Sequence, residues 1–177
     1  VFKNNSTSGL EGKGGAILLE KSKSIIRECT FEGNHTNIKY QNVGGAIYNK
    51  AGSNLTIRDC TFKKNASGRG GAIANVGTLI IQEGTEFISN TCTEGGAGVY
   101  NGGNGVVTDT GSTYKKNKLT EAHAGGAIRN DGENTQYKLI DAVMKDNTSK
   151  GNGGAIYSNG LVFVATRCIF DGNSAIQ

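Results

Sequence analysis

The chain has 177 residues with 28 Gly, 19 Asn, no Pro and no Trp, and it carries a net charge of +4 at 36% hydrophobic residues. That apolar content at so low a net charge excludes a disordered chain, and the absence of Pro excludes collagen and PxxP segments. No apolar run approaches the roughly 18 residues of a membrane-crossing helix, and a pI of 8.9 is too mild a basicity to point to nucleic acid.

The chain opens on Phe2-Lys3-Asn4-Asn5, an aromatic residue with Asn three places on, and then reaches Gly14-Gly15-Ala16. Both pieces return in strict alternation. The first recurs at Phe31 and Asn34, Phe62 and Asn65, Phe87 and Asn90, Tyr114 and Asn117, Met144 and Asn147, and Phe170 and Asn173. The second recurs at Gly44, Gly70, Gly95, Gly125 and Gly153. From Phe2 to Phe170 there are six intervals averaging 28 residues, a repeat length that suits a solenoid.

The local period decides between helices and strands. Leu55, Ile57, Cys60 and Phe62 share one face, and Thr56 and Thr61 the other. Ile26, Cys29 and Phe31 echo this, as do Phe163, Ala165, Cys168 and Phe170. No Gly-free stretch keeps a 3.6-residue period for ten residues, and Gly-Gly, Asn-Gly and Asp-Gly mark tight corners. The expected fold is all-β, a single-stranded parallel β-helix of six to seven rungs of ~28 residues, roughly 30 Å long at about 4.8 Å per rung. The motif Asn residues should stack in one column, and Asn49, Asn75, Asn101 and Asn130 in another, passing hydrogen bonds along the stack. Ala16, Ala46, Ala72, Ala97, Ala127 and Ala155 should form a column of small residues where opposite walls approach.

Gly-Gly-Ala-Ile alternating with Phe-x-x-Asn resembles the repeats of the chlamydial polymorphic membrane proteins and similar adhesin-like surface proteins, and the resemblance covers the whole chain. It implies a right-handed β-helix, an autotransporter-type passenger, an extracellular or cell-surface location and an adhesive role. Residues 1–177 are expected to be one β-helix segment of a longer passenger or filament. Both ends stand in the same phase of the repeat. The expected neighbours are therefore further rungs of the same chain or a head-to-tail copy, and repeating the latter contact builds an open filament.

Several side chains are candidates for chemistry. Cys29 and Cys60 fall at the same place in adjacent rungs, so either two buried thiols or a disulfide is expected there. With no CxxC, and with His35 and His123 in separate loops, no metal site or cofactor is expected. Of the Asn-x-Ser/Thr sequons at Asn4, Asn5, Asn34, Asn54, Asn65 and Asn147, those at Asn5, Asn34, Asn65 and Asn147 belong to the motif column, and Asn54 is the best exposed candidate glycan acceptor. Lys63, Lys64, Lys115, Lys116 and Lys145 follow the motif aromatic and form a possible contact for an anionic glycan on a host or neighbouring cell. Glu32 and Ile88 interrupt that stripe. The longer gaps before Gly-Gly, at 6–13, 35–43 and 118–124, carry His35, Tyr40, Lys118 and His123 and are the expected variable face.

A polysaccharide lyase or hydrolase needs paired carboxylates across a cleft, or carboxylates holding Ca²⁺. Glu28, Asp59 and Asp141 instead share one outward column with Arg27, Arg58 and Arg167 nearby, which reads as ion pairs on a solvated face. An ice-binding array is excluded because Glu86, Val143 and Ile169 break the Thr column of Thr30, Thr61 and Thr113. The reading is a non-enzymatic surface protein presenting loops for attachment, with a filament protomer as the alternative.

Overall fold

Each unit makes one coil of short strands in the computed structural model, which describes residues 1–37 and 42–176. No helix occurs among the described residues. The coils stack into four parallel sheets of seven, seven, six and six strands. The first sheet holds Phe2–Lys3, Thr30–Glu32, Thr61–Lys63, Glu86–Ile88, Thr113–Lys115, Val143–Lys145 and Ile169–Asp171. The second runs from Ser6–Thr7 to Ser174–Ala175, the third from Ile17–Leu19 to Ile156–Ser158, and the fourth from Lys23–Arg27 to Val162–Thr166.

In-register pairing turns the repeat into columns. Phe2, Phe31, Phe62, Phe87, Tyr114, Met144 and Phe170 lie one above the next. The five rings from Phe2 to Tyr114 stack with centroids 4.5–5.1 Å apart and planes within 10°, because the rung spacing equals a comfortable stacking distance. Leu55, Ile57, Leu79, Ile81, Val107 and Leu139 fill the facing wall and are buried. Cys60, Thr85, Ser112 and Ala142 occupy the small inward position between the two sheets, as their spacing predicts.

Both Asn columns exist. In the first, Asn65 Nδ2 donates to Asn90 Oδ1 at 3.0 Å and to Phe31 O at 3.0 Å. Asn90 Oδ1 also accepts the Asn65 backbone N–H at 2.9 Å. The pattern repeats from Asn5 to Asn173, so each central amide is fully used while buried. The second ladder runs from Asn49 through Asn75, Asn101 and Asn130 to Ser158. Leu19 occupies its place in the first rung, and Asn49 Oδ1 is buried without a partner.

One motif is displaced from its expected place. The corner of the other rungs uses the first Gly of Gly-Gly-Ala at positive φ, but in the fourth rung Gly96, not Gly95, takes it at φ 65°. Gly95 is an extra residue in Thr91–Gly95, where the register with the preceding strand shifts between Ser67 and Arg69. Ala97 therefore leaves the small-residue column and Gly98 enters it: Gly98 N–H and Val99 N–H both donate to Ala127 O, as Ala46 N–H and Ile47 N–H both donate to Ala72 O. A Cβ at 98 would lie 2.8 Å from Tyr114 ring carbons, so the inserted residue delivers the one side chain that the ring tolerates.

Candidate functional site

The lysine stripe divides between strand and corner. Lys63, Ile88, Lys115 and Lys145 are register partners pointing outward from the first sheet. Lys64 and Lys116 are the next residues, where the chain turns with φ 54° and 56°. Asn4, Gly33, Ser89, Asp146 and Gly172 hold the same left-handed conformation in the other rungs, so the turn is a property of the coil. Acids partly neutralise the stripe. Lys63 lies 3.9 Å from Glu32, which also meets Lys3 at 3.6 Å, and Lys145 lies 3.0 Å from Asp171. The hydrogen bond and charge of Asp171 hold Lys145 above its ordinary pKa.

The acid column is a corner as well. Glu28, Asp59, Asp141 and Arg167 all have positive φ, near 50°. Arg167 grips Asp141 from the next rung through two bonds of 2.6 and 2.7 Å, and this keeps the Asp141 carboxyl below its usual range. Arg58 lies 3.1 Å from Asp59 and 3.6 Å from Glu83. Asp59, Glu83 and Asp141 are thus exposed and engaged with guanidinium groups.

Cys29 and Cys60 are free thiols on adjacent rungs. Cys60 Sγ donates to Arg58 O at 3.1 Å, and burial pushes its pKa up. Cys92 sits in a small separate cluster with Ala97 and Leu119, where burial raises its thiol to about 12. Asn54 opens its strand with an exposed side chain. By contrast, Asn34, Asn65 and Asn147 are buried in the ladder with both Nδ2 hydrogens donated. They offer no amide to a glycan.

Of the residues assigned to the variable face, His35 and Lys118 belong to strands of the second sheet, at His35–Thr36 and Lys118–Leu119. Tyr40 lies outside the described residues. His123 alone of the four is seen in a connecting loop, which lies against the equivalent loop of the following rung.

Spacing arguments miss a polar cluster inside the coil. Asp109 takes the inward place held by Ile81 and Leu139 in the adjoining rungs. Tyr114 donates to Asp109 Oδ2 at 2.6 Å and Tyr137 at 3.1 Å, and the two hydroxyls lie 3.0 Å apart. All three residues are fully buried, and Asp109 Oδ1 has no partner. Burial lifts the Asp109 carboxyl to about 6 against the pull of these hydrogen bonds, and both phenols are raised by burial and by Asp109. The alternation Val107, Asp109 in an otherwise regular strand is the signal that marks it. Sealed from solvent, the cluster can hold a proton but cannot meet a substrate.

Comparison with known proteins agrees with this architecture. The Chlamydia polymorphic membrane protein repeat matches residues 28–50, 59–76 and 141–159. Each segment contains an aromatic or Met motif, its Asn and the following Gly-Gly-Ala. The chain is 30% identical over 172 residues to the probable autotransporter YfaL of Escherichia coli strain K12, covering 91% of this chain and 12% of that protein. It is 31% identical over 137 residues to the metabotropic glutamate receptor-like protein R of Dictyostelium discoideum, covering 74% of this chain and 8% of that protein. The chain thus spans about a tenth of the length of these relatives. No solved structure matches. The repeat and the autotransporter likeness point to a cell-surface or outer-membrane protein with a β-helical passenger.

Proposed function

We propose that the segment is a non-enzymatic, extracellular β-helix passenger section that holds side chains and loops out for attachment to cells or their glycans. The observation that carries the reading is a repeat shared with surface proteins and folded into a coil whose recurring motif positions are spent on stacking. What varies from rung to rung lies outside: the lysine stripe and the connecting loops. The exposed carboxylates of Asp59 and Asp141 are tied to Arg58 and Arg167, which favours a scaffold over acid–base catalysis.

The test is adherence of beads coated with this segment to cultured cells, measured at low and high salt. Beads should bind above the uncoated background. Binding that falls as salt rises, and falls again with Lys63→Glu and Lys115→Glu, assigns the contact to the stripe, since screening acts over roughly 8 Å at physiological salt. Adherence equal to the background overturns the reading. Turnover of a polysaccharide that is lost with Asp59→Ala or Asp141→Ala would replace it with an enzyme.

A further inference from the structure

We propose that the groove between loops 120–124 and 150–152 binds an acidic sugar residue, its carboxylate on Lys150 and its ring on Tyr157. The inference rests on the attachment reading and gives it a second site, distinct from the lysine stripe. The groove has a volume of about 500 Å³ and is lined by His123, Arg129, Lys150 and Tyr157 with small residues and Asn152 between them. That size suits one or two sugar residues. No acidic residue lines it.

The floor is rigid. Tyr157 and Arg129 are register partners on the outward face of the third sheet. The Arg129 guanidinium stands 5.7 Å from the Tyr157 ring centroid. Arg129 is itself held by Asp131 at 2.7 Å and by Glu94 O at 2.5 Å. Asp131 balances its charge, so Arg129 positions the ring and does not supply the net attraction. A second such contact is made from a neighbouring sheet, Arg69 standing 5.7 Å from the Tyr100 ring, but Tyr100 is only 8% exposed and cannot receive a ligand. Tyr157 is half-buried and lines the groove.

The walls are pinned to each other. Gly125 N–H donates to Asn152 O at 3.0 Å, and Asn152 N–H donates to His123 O at 3.1 Å. Gly151 lies so close that a Cβ there would fall 1.7 Å from His123 O, so this contact admits only glycine. A groove fixed before binding spares the ligand the ordering cost of the loops. Lys150 is exposed and pairs with no acid among the described residues. The groove therefore presents one uncompensated ammonium beside an aromatic face, with the His123 ring on its rim. A lone ammonium in water holds a carboxylate weakly. A sugar ring lying on Tyr157 adds apolar contact, and its hydroxyls meet the imidazole, which makes an acidic sugar a better fit than a simple anion.

The experiment is an NMR titration of the isotope-labelled segment with glucuronic acid and N-acetylneuraminic acid, beside glucose, N-acetylglucosamine and acetate. Saturable shifts at residues 122–124, 150–152 and 157 are expected for the acidic sugars, with neutral sugars and acetate about tenfold weaker. Lys150→Ala should erase the preference for acid, Tyr157→Ala should weaken every sugar, and Lys63→Ala with Lys115→Ala should change nothing. Unsaturated shifts, equal binding of acetate or glucose, or shifts confined to the lysine stripe would each overturn the proposal. Coated beads separate the two readings. Beads that adhere without any sugar titration refute the groove and keep attachment; titration without adherence keeps the groove and refutes attachment.

Discussion

Asp109 is the residue at which this coil departs furthest from its own rule. A carboxyl replaces an aliphatic side chain, and two tyrosines, at 114 and 137, turn their hydroxyls to it. Its carboxyl is raised from an ordinary 3.8 to about 6. The protonated form is thus favoured by folding. The associated stability is fully present below pH 4 and is lost as pH rises through 6. A shift of about two units is worth about 3 kcal/mol. Thermal melts of the wild type should therefore fall between pH 4 and pH 7. Asp109→Asn keeps the shape and removes the charge, so it should melt higher at pH 7 and flatten that decline. Parallel melting curves for the two proteins would show that Asp109 is not the titrating group. Phe62, by comparison, stacks between Phe31 and Phe87 with no exposure. Phe62→Ala should cost about 3–5 kcal/mol in urea denaturation, because the neighbouring rings are held by their own strands and cannot close the gap.

Among the elements, the asparagine ladders carry the polar half of the repeat. Asn90→Ala would leave the Asn65 N–H, one Asn65 Nδ2 hydrogen and Phe62 O without partners in a buried site. At about 1–3 kcal/mol per orphaned group, a loss of about 3–5 kcal/mol is expected. Asn173→Ala removes the same bonds where water can enter, so its cost should stay near 1 kcal/mol. Equal losses would mean that burial does not govern the ladder. The columns were legible from the chain because an aromatic residue and an Asn at fixed spacing can repeat through in-register rungs only by stacking. The corner at 95–98 was not legible from the Gly-Gly-Ala triplet, which looks the same in every rung. The following Asn held the clue: Asn101 lies five residues after Gly96, as Asn75 does after Gly70. The contrast can be measured at two glycines of equal φ. Gly96→Ala puts a Cβ 2.3 Å from Val99 O, whereas the nearest atom at Gly103 is 3.6 Å away on Val76. Both substitutions meet left-handed backbone, costing about 1–2 kcal/mol, but Gly96→Ala must also move the corner and should be clearly the more destabilising.

At the scale of the whole molecule, the coil is a one-dimensional stack in which each rung touches only its neighbours. The parallel pairing of all four sheets and the period near 28 residues follow from the repeat. The groove at 120–124 and 150–152 does not, because it depends on two loops meeting across rungs and on Arg129 standing against Tyr157. No motif marks such a juxtaposition; only the longer gap before Gly125 hints at it. The same geometry governs how stability is distributed. Phe31, Phe62, Phe87 and Tyr114 have no exposure, whereas Phe170 is 50% and Ile169 60% exposed in the outermost rung. Native-state hydrogen exchange on this segment should therefore be graded. Amides of the rungs from Phe62 to Tyr114 should exchange most slowly, by global unfolding, and those of Val162–Thr166 and Ile169–Asp171 fastest, by local opening. Phe62→Ala should then speed exchange in the rungs on either side of it more than in the rung of Met144, since coupling passes from neighbour to neighbour. Uniform acceleration along the chain would show instead that the coil opens all at once, with coupling between rungs stronger than the stability of any one of them.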